Sequence, residues 1–303
     1  MRYAVGRKSR HWGIALTTET QEPASERRSL IIRTAPGFFV NSIVAAALGV
    51  VLARLIEQAG VAVAGLIAGR EPVFTNVVTE FRADGSDLVY LGGTVASLVV
   101  GASMLAMYPN AIDRSVGKLQ MLWVILFTLR NGFFDLATTA YVDDSPVALA
   151  LGTFDAPAGL DLVLSVTGAL GLLLVAFAAA PAFLGFSRHR SEILTGIERI
   201  RYVATLALLP ALAGPLIAVA FFIPDHDTNY VRTLPFIGLF LVVTTVAARW
   251  TREVREPKLV QERSLSISLV IAVVVIFALL RVVVEPGIAL PPWDDSLNWQ
   301  PRP

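Results

Sequence analysis

Seven long apolar stretches constrain the fold of this chain more than any other feature. They fall at about 37–69, 88–108, 118–138, 159–186, 201–223, 231–249 and 265–284. A helix that crosses a bilayer needs roughly 20 apolar residues. With 55% hydrophobic residues, 16% charged residues and a mean hydropathy of +0.64, the chain carries more apolar surface than soluble cores could bury. The sequence predicts an all-α polytopic membrane protein with about seven transmembrane helices.

The first stretch is longer than one upright span requires. About 33 helical residues would extend ~50 Å at 1.5 Å per residue, and the stretch contains Arg54 and Glu57. It is either one tilted helix or two helices that break near Gly60. The sequence leaves both alternatives open.

An extended segment separates the first two spans. Val73–Phe81 is rich in Val, Thr and Phe, and Asp84-Gly85-Ser86 follows before Asp87–Leu91. Asp-Gly between extended apolar runs is typical of a hairpin turn. We therefore expect a short β-hairpin over 73–91, between the first two spans.

The distribution of positive charge predicts the orientation. Lys and Arg are frequent in the tail 1–35 and in the connections 187–201 and 249–264. The connection 109–117 contains Arg114, with Lys118 at the start of the next helix, whereas 139–158 has no Lys or Arg. Loops rich in Lys and Arg stay on the cytoplasmic side. An N-terminus in the cytoplasm and a C-terminus outside, in a bacterial-type plasma membrane, agrees with these loops.

Four regions follow from the spans and their connections. We expect a basic cytoplasmic tail over 1–35, a membrane core with the hairpin over 36–187, a three-span part over 188–285, and an extracytoplasmic Pro/Trp-rich tail over 286–303. The last region contains too many prolines for a regular helix and is expected to lie against the outer face or against a partner.

Composition also excludes several kinds of site. A net charge of +1 gives no reason to expect nucleic acid as a partner. Cysteine is absent, and the three histidines, His11, His189 and His226, lie outside the apolar stretches. Thiolate sites and histidine metal or haem sites within the membrane are therefore not expected, and no cofactor is predicted.

Five polar residues within the apolar stretches need an explanation. They are Arg54, Glu57, Arg130, Asn131 and Asp135. Charged groups inside a membrane are costly and often functional, so these residues could surround a cavity with Glu57 or Asp135 handling protons and Arg130 as counter-charge. They could equally form Arg54–Glu57 and Arg130–Asp135 pairs that only fix helix packing.

A family resemblance rests on Leu55–Gly69, which begins Leu-Ile-Glu-Gln-Ala-Gly. This stretch resembles the zinc-motif helix of the site-2 protease family, which reads His-Glu-x-x-His and then small and apolar residues up to a Gly. The order of later features is also similar. These features are Asp84-Gly85-Ser86, the small-residue span from Gly92-Gly93, Leu129–Asp135 and Asp143–Ala150, so that the resemblance covers about 37–186.

The same resemblance implies that protease chemistry is missing. Glu57 falls at the position of the family's general base, but the two zinc-binding histidines fall on Ile56 and Gly60, which cannot bind metal. The third ligand, a distal Asp, would correspond to Asp143 or Asp144. Without the histidines no metal holds a water for Glu57 to activate. The resemblance therefore implies a zinc-less pseudoenzyme.

Three functions of different classes follow. The first is a non-catalytic accessory or scaffold subunit, or a regulator, that contacts the lipid bilayer and protein partners in a membrane complex. The second is a small-solute or proton-coupled transporter that uses Glu57, Arg130 and Asp135. An unfamiliar intramembrane enzyme is a third possibility, with Glu57 or Asp135 as its acid–base group and no obvious nucleophile.

Overall fold

The computed structural model describes most of one compact unit, Thr34–Pro303. The described residues are 36–74, 79–81, 87–110, 116–154, 156–187, 193–222, 228–251, 265–284 and 287–290. The basic tail 1–35 and most of the Pro/Trp-rich tail lie outside them. The predicted boundary near residue 187 adjoins the interval 188–192, which is also outside, and it stays a prediction.

Helices account for most of the described residues. They are α1 Pro36–Ile67, α2 Leu91–Met107, α3 Val116–Thr138, α4 Pro146–Thr153, α5 Leu160–Leu184, α6 Gly196–Val203, α7 Leu209–Phe222, α8 Thr228–Ala247 and α9 Ile267–Leu279. Short 3₁₀ turns lie at Asp87–Tyr90, Tyr108–Asn110 and Ala248–Trp250, and π-helical turns at Ala204–Leu208 and Leu280–Val284.

Six helical segments in the described ranges are long and apolar enough to cross a membrane. They are Gly37–Ile67, Leu88–Asn110, Val116–Thr138, Leu160–Leu184, Gly196–Ala218 and Ile267–Val284. In the region of α8 a shorter apolar segment, Ile237–Trp250, meets the composition but not the length. The expected helical, multi-pass class is confirmed to this extent.

Helix α1 is one continuous helix of 32 residues, which settles the two alternatives for the first stretch. At 1.5 Å per residue it extends ~48 Å, longer than the hydrocarbon core of a bilayer. It packs against α2, α3 and α7 and more lightly against α9. Helix α3 also packs against α5, and α5 against α8. Helix α1 therefore has neighbouring helices on several sides.

The centre of the bundle is an aromatic cluster between α3 and α5. The Trp123 ring stacks on Phe127 with centroids 5.5 Å apart and meets the Phe183 ring edge-on at 5.3 Å. Trp123 and Phe183 are fully buried. Small residues of α1, among them Ala45 and Ala46, complete this core and let α7 approach closely, because a Cβ at Gly214 would lie 2.7 Å from the Ala46 Cβ.

A buried hydroxyl in this core contacts the widened turn before α7. Pro210 has no N–H, so the carbonyl of Leu206 lacks its usual α-helical donor, and the helix takes π geometry over Ala204–Leu208. The Ser42 hydroxyl donates a hydrogen bond to the Leu206 carbonyl at 2.7 Å. In turn the Trp123 Nε1 donates to Ser42 Oγ at 3.1 Å. Polar groups from α1 and α3 thus stabilise an irregular turn inside the membrane.

A three-stranded antiparallel sheet lies at one end of the bundle. Its strands are β1 Pro72–Phe74, β2 Thr79–Phe81 and β3 Ile288–Ala289, in the order β2-β1-β3. In the registers, Val73 pairs with Glu80 on one side and with Ala289 on the other. The sheet is held to α1, since Thr79 Oγ1 donates to the Gln58 carbonyl at 3.1 Å.

The predicted hairpin exists, but its second strand and its turn were placed wrongly. The connection between the strands is 75–78, outside the described residues, and Asp84-Gly85-Ser86 follows β2 instead of preceding it. Residues Asp87–Tyr90, expected to be extended, form a 3₁₀ turn that leads into α2. Asp87–Tyr90 continues directly into α2, so these residues are helical although the preceding Asp-Gly is typical of a hairpin turn.

Helix α4 lies in the connection between the third and fourth apolar stretches and was not predicted from the sequence. The side chain of Ser145 accepts a hydrogen bond from the Ala148 N–H at 3.2 Å and Pro146 occupies the first turn. Ser at the N-cap followed by Pro is a recognisable helix start. The sequence signal was present, and the helix is only eight residues long.

Helices α1 and α9 run parallel and are joined at both ends. Near the start of each, the Asn41 Oδ1 accepts a hydrogen bond from the Ser266 N–H at 2.8 Å. After the end of each, β1 pairs with β3. Between these contacts, Leu269, Val273 and Phe277 form the buried stripe of α9, with the spacing of one helix face.

Candidate functional site

The polar residues predicted within the membrane come together between α1, α2 and α3. Arg54 and Glu57 lie on α1, and Arg130, Asn131 and Asp135 lie on α3. Thr94 of α2, which the sequence analysis did not single out, completes the group. We call these six residues the polar cluster.

Glu57 is the centre of the polar cluster. Its Oε1 accepts from Arg54 Nη1 at 2.5 Å, and its Oε2 accepts from Asn131 Nδ2 at 3.1 Å. The side chains of Arg54 and Glu57 are 23% and 14% exposed. Both carboxylate oxygens are therefore engaged by donors from two different helices, and the expected Arg54–Glu57 contact is present.

Arg130 extends this hydrogen-bond chain along α3. Its Nη1 donates to Asn131 Oδ1 at 3.1 Å. Its guanidinium carbon lies 4.3 Å from the centroid of the Phe134 ring, a cation–π distance. Arg130 is buried, with 6% of its surface exposed. A continuous set of contacts thus links Arg54 to Glu57, Asn131 and Arg130.

Asp135 forms the second branch of the polar cluster. Its Oδ2 accepts a hydrogen bond from the Thr94 hydroxyl at 2.7 Å. Glu57, Arg130 and Arg54 are all close enough to interact with it electrostatically. When ionised, the two arginines and two carboxylates have no net charge, which limits the cost of placing them within a span.

Close approach of α1 and α2 holds Glu57 against the neighbouring helices. A Cβ added at Gly93 would lie 3.1 Å from the Glu57 Cγ, and one added at Gly60 would lie 2.4 Å from the Gly92 carbonyl oxygen. The buried stripe of α2, Gly93, Thr94, Ser97 and Gly101, has the small-residue spacing that permits such contact. A larger residue at Gly60, Gly92 or Gly93 would push α1 and α2 apart.

The positions aligned with zinc ligands in the protease resemblance have different roles. The Gly92 backbone packs directly against Gly60, so a histidine side chain at position 60 would not fit unless α1 moved away from α2. Ile56 lies on α1 beside Glu57. Asp143 and Asp144 are exposed in the turn before α4. Within the described ranges no three His, Cys, Asp or Glu side chains come together as a metal site, and all three histidines lie outside those ranges.

Several further buried polar groups surround this region. The Ser97 hydroxyl, the Thr128 hydroxyl and the Gln58 Oε1 have no hydrogen-bond partner among the described residues. Thr94, Ser97 and Thr128 were missed because short polar side chains in an apolar helix usually indicate packing. The available signal was their spacing: Gly93, Ser97 and Gly101 repeat every four residues, with Thr94 adjoining the same face.

Chemically, the polar cluster is a charge-balanced network with two carboxylates. The two Glu57 oxygens and the Asp135 Oδ2 have defined donors. The arrangement can fix three helices, or it can exchange protons between carboxylates if the network opens.

Comparison with protein-family models, with curated proteins and with solved structures found no match for this chain.

Proposed function

We propose that this chain is a non-catalytic integral membrane protein that acts as an accessory or scaffold subunit, or as a regulator, in a membrane complex. The observation that carries the proposal is the double engagement of Glu57 by Arg54 and Asn131. A general base needs a lone pair directed at its substrate, whereas one oxygen of this carboxylate is held by Arg54 of the same helix and the other by Asn131 of α3. The residue at the centre of the resembled motif has a structural role.

We propose further that the chain is a zinc-less relative of the site-2 proteases. Its α1 would correspond to the zinc-motif helix of that family, with Glu57 at the general-base position. The close contact of Gly60 with Gly92 supports the loss of the metal, because the helix packing now occupies the space that a second histidine would need. The α1–α2 contact takes the place of a metal site.

The topology that fits this proposal has seven crossings. Strands β1 and β3 pair directly, so the residues after α1 and after α9 lie on the same side of the membrane. An even number of crossings must separate them. Five candidate spans follow α1. If α8 also crosses the membrane, six crossings separate β1 from β3, which is an even number. An N-terminus in the cytoplasm and a sheet outside, in a bacterial-type plasma membrane, agrees with the basic loops.

One observation favours a second candidate, a small-solute or proton-coupled transporter. Two carboxylates, Glu57 and Asp135, lie within electrostatic reach of each other in neighbouring spans. Intramembrane carboxylates often belong to proton or ion pathways. In this alternative, Arg130 would act as the counter-charge and the Thr94–Asp135 hydrogen bond would open during the cycle.

The experiment that separates the two candidates starts from native membranes. The protein is extracted in mild detergent and every co-migrating protein is identified. Stoichiometric partners support the accessory-subunit proposal, and a solitary, monodisperse particle contradicts it. The variant Glu57→Gln is then compared with Glu80→Gln, whose carboxylate is exposed on β2. A scaffold loses partners or stability only with the first change, whereas a transporter keeps its assembly and loses flux in proteoliposomes.

A further inference from the structure

An exposed surface of apolar and basic residues lies where the start of α6 meets the end of α8. Leu194, Ile197 and Trp250 are 60%, 64% and 61% exposed. Arg201 and Arg249, in the same two segments, are also exposed. We call these five residues the Trp250 surface.

The Trp250 surface is held in place by contacts between its two segments. Arg199 donates through Nε to the Ile193 carbonyl at 2.9 Å and through Nη1 to the Thr251 carbonyl. A Cβ at Gly196 would lie 3.0 Å from the Arg249 Cγ, so the two segments touch. The surface is therefore formed before any ligand arrives, which lowers the entropic cost of binding.

The nearest acidic side chain on α6 has another role. Glu198 Oε2 accepts a hydrogen bond from the Thr195 N–H at 2.9 Å, and Thr195 Oγ1 accepts from the Glu198 N–H at 3.2 Å. This reciprocal capping box fixes the start of α6. Neither Arg201 nor Arg249 takes part in a salt bridge with any described residue. Among the described residues, therefore, no carboxylate competes with an external anion for these two guanidinium groups.

The position and chemistry of the Trp250 surface suit the membrane–water interface. It lies at the start of the apolar segment Gly196–Ala218 and at the end of the apolar segment Ile237–Trp250. Ile197 and Arg201 are four residues apart and share one face of the helix. Tryptophan prefers the headgroup level, isoleucine and leucine prefer acyl chains, and arginine binds phosphate with paired N–H groups.

We propose that the Trp250 surface binds the headgroup of an anionic phospholipid in preference to a zwitterionic one. Arg201 and Arg249 bind the phosphate and its additional negative charge, while Leu194, Ile197 and Trp250 contact the upper acyl chains. The proposal does not depend on the function of the polar cluster or on the orientation of the chain, because it needs only that these two span ends meet the interface.

The test is a lipid titration of the purified full-length chain, measured by native mass spectrometry. Phosphatidylglycerol and phosphatidylcholine with identical acyl chains are compared for the unmodified protein, for Arg201→Gln/Arg249→Gln and for Lys118→Gln. Lys118 is the matched control, since it is a cation at the start of another span that lies over the Tyr108 ring. Thermal unfolding of each variant shows that the fold is retained.

The unmodified chain is expected to bind phosphatidylglycerol more tightly than phosphatidylcholine. The double arginine variant should bind phosphatidylglycerol about 25-fold more weakly, about fivefold for each arginine, with little change for phosphatidylcholine or for Lys118→Gln. Inorganic phosphate at millimolar concentration should not displace the lipid. Equal affinity for the two lipids, an equal loss in the lysine variant, or displacement by free phosphate would each overturn the proposal.

Discussion

The hydroxyl of Ser42 donates a 2.7 Å hydrogen bond to the carbonyl of Leu206, 164 residues away, where Pro210 leaves that carbonyl without its α-helical donor. Both residues are fully buried. A side chain on one span thus satisfies a backbone group that a proline on another span has freed. This relationship makes the energetic value of Ser42 depend on Pro210.

Replacing Ser42 by Ala should destabilise the protein by about 1–3 kcal/mol, because it leaves the Leu206 carbonyl and the Trp123 indole N–H without their partner. In a Pro210→Ala background the penalty should be smaller by about 1 kcal/mol, since the substituted alanine has an N–H that can donate to the Leu206 carbonyl. Chemical unfolding in detergent measures both. Thr244→Val is the control, because its hydroxyl bonds a carbonyl of its own helix. Equal Ser42 penalties in the two backgrounds contradict the coupling.

Removing either member of the Arg54–Glu57 pair should cost about 1–3 kcal/mol, because the remaining charged group loses its ion-pair contact within a span. The double variant Arg54→Gln/Glu57→Gln should be less destabilised than the sum of the single changes, with a coupling of about 0.5–3 kcal/mol. A double-mutant cycle of unfolding free energies checks this. Strict additivity would mean that the 2.5 Å contact contributes nothing.

Changing Gly60 to Ala should impair folding, because the new Cβ would lie 2.4 Å from the Gly92 carbonyl oxygen. Overpacking of this kind costs about 1–3 kcal/mol or more. Gly152 of α4 is the matched control, since nothing lies within 4 Å of its added Cβ, and Gly152→Ala should be neutral or stabilising by up to about 1 kcal/mol. Thermal unfolding and gel-filtration profiles should separate the two variants. A Gly60→Ala protein as stable as the parent would refute the close α1–α2 contact.

Thr94 should matter more than its buried neighbour Ser97. Thr94→Val removes the hydroxyl that donates to Asp135 and should cost about 1–3 kcal/mol. Thr94→Ser, which keeps the hydroxyl, should recover most of that loss. Ser97→Ala removes a hydroxyl without a partner among the described residues and should cost less than about 1 kcal/mol. If Ser97→Ala is as harmful as Thr94→Val, ordered water or another group completes the site.

The pairing of β1 with β3 can be tested directly, because the chain has no cysteine. Val73 and Ala289 are opposed in the antiparallel register, where Cα atoms lie about 4.5–5.5 Å apart and suit a disulfide. Val73→Cys/Ala289→Cys should oxidise to a cross-linked monomer in native membranes. The control pair places the second cysteine at Ile197, at the start of α6. Cross-linking in the control pair alone would reject the sheet.

Elements with a long apolar signal were predictable from sequence, and elements defined by distant pairing were not. The apolar stretches locate the membrane helices within a few residues, since lipid exposure requires continuous apolar sequence. Strand β3 pairs with β1, which lies far earlier in the chain, and nothing near Ile288 in the sequence indicates that partner. The Asp-Gly signal at 84–85 placed the hairpin turn after its true second strand.

In the candidate site, too, the charged residues were predictable from the sequence, whereas their contacts were not. Arg54, Glu57, Arg130, Asn131 and Asp135 are conspicuous in apolar sequence, and the structure brings them together. Their pattern of hydrogen bonds was not predictable, because it depends on the approach of α1 to α2 and α3. Thr94 is the clearest case: a threonine in an apolar helix has no charge to mark it, and only the packed structure places it on Asp135.

The joining of α1 to α9 at both ends has a consequence for biosynthesis. Asn41 and Ser266 are separated by 225 residues, so at roughly 5–20 residues per second the ribosome needs about 10–45 s to deliver the second after the first. Throughout that time α1 is in the bilayer while one edge of β1 has no strand beside it. Completion of the bundle therefore depends on a late step, because Asn41 and the free edge of β1 gain these contacts only after α9 and β3 have been synthesised.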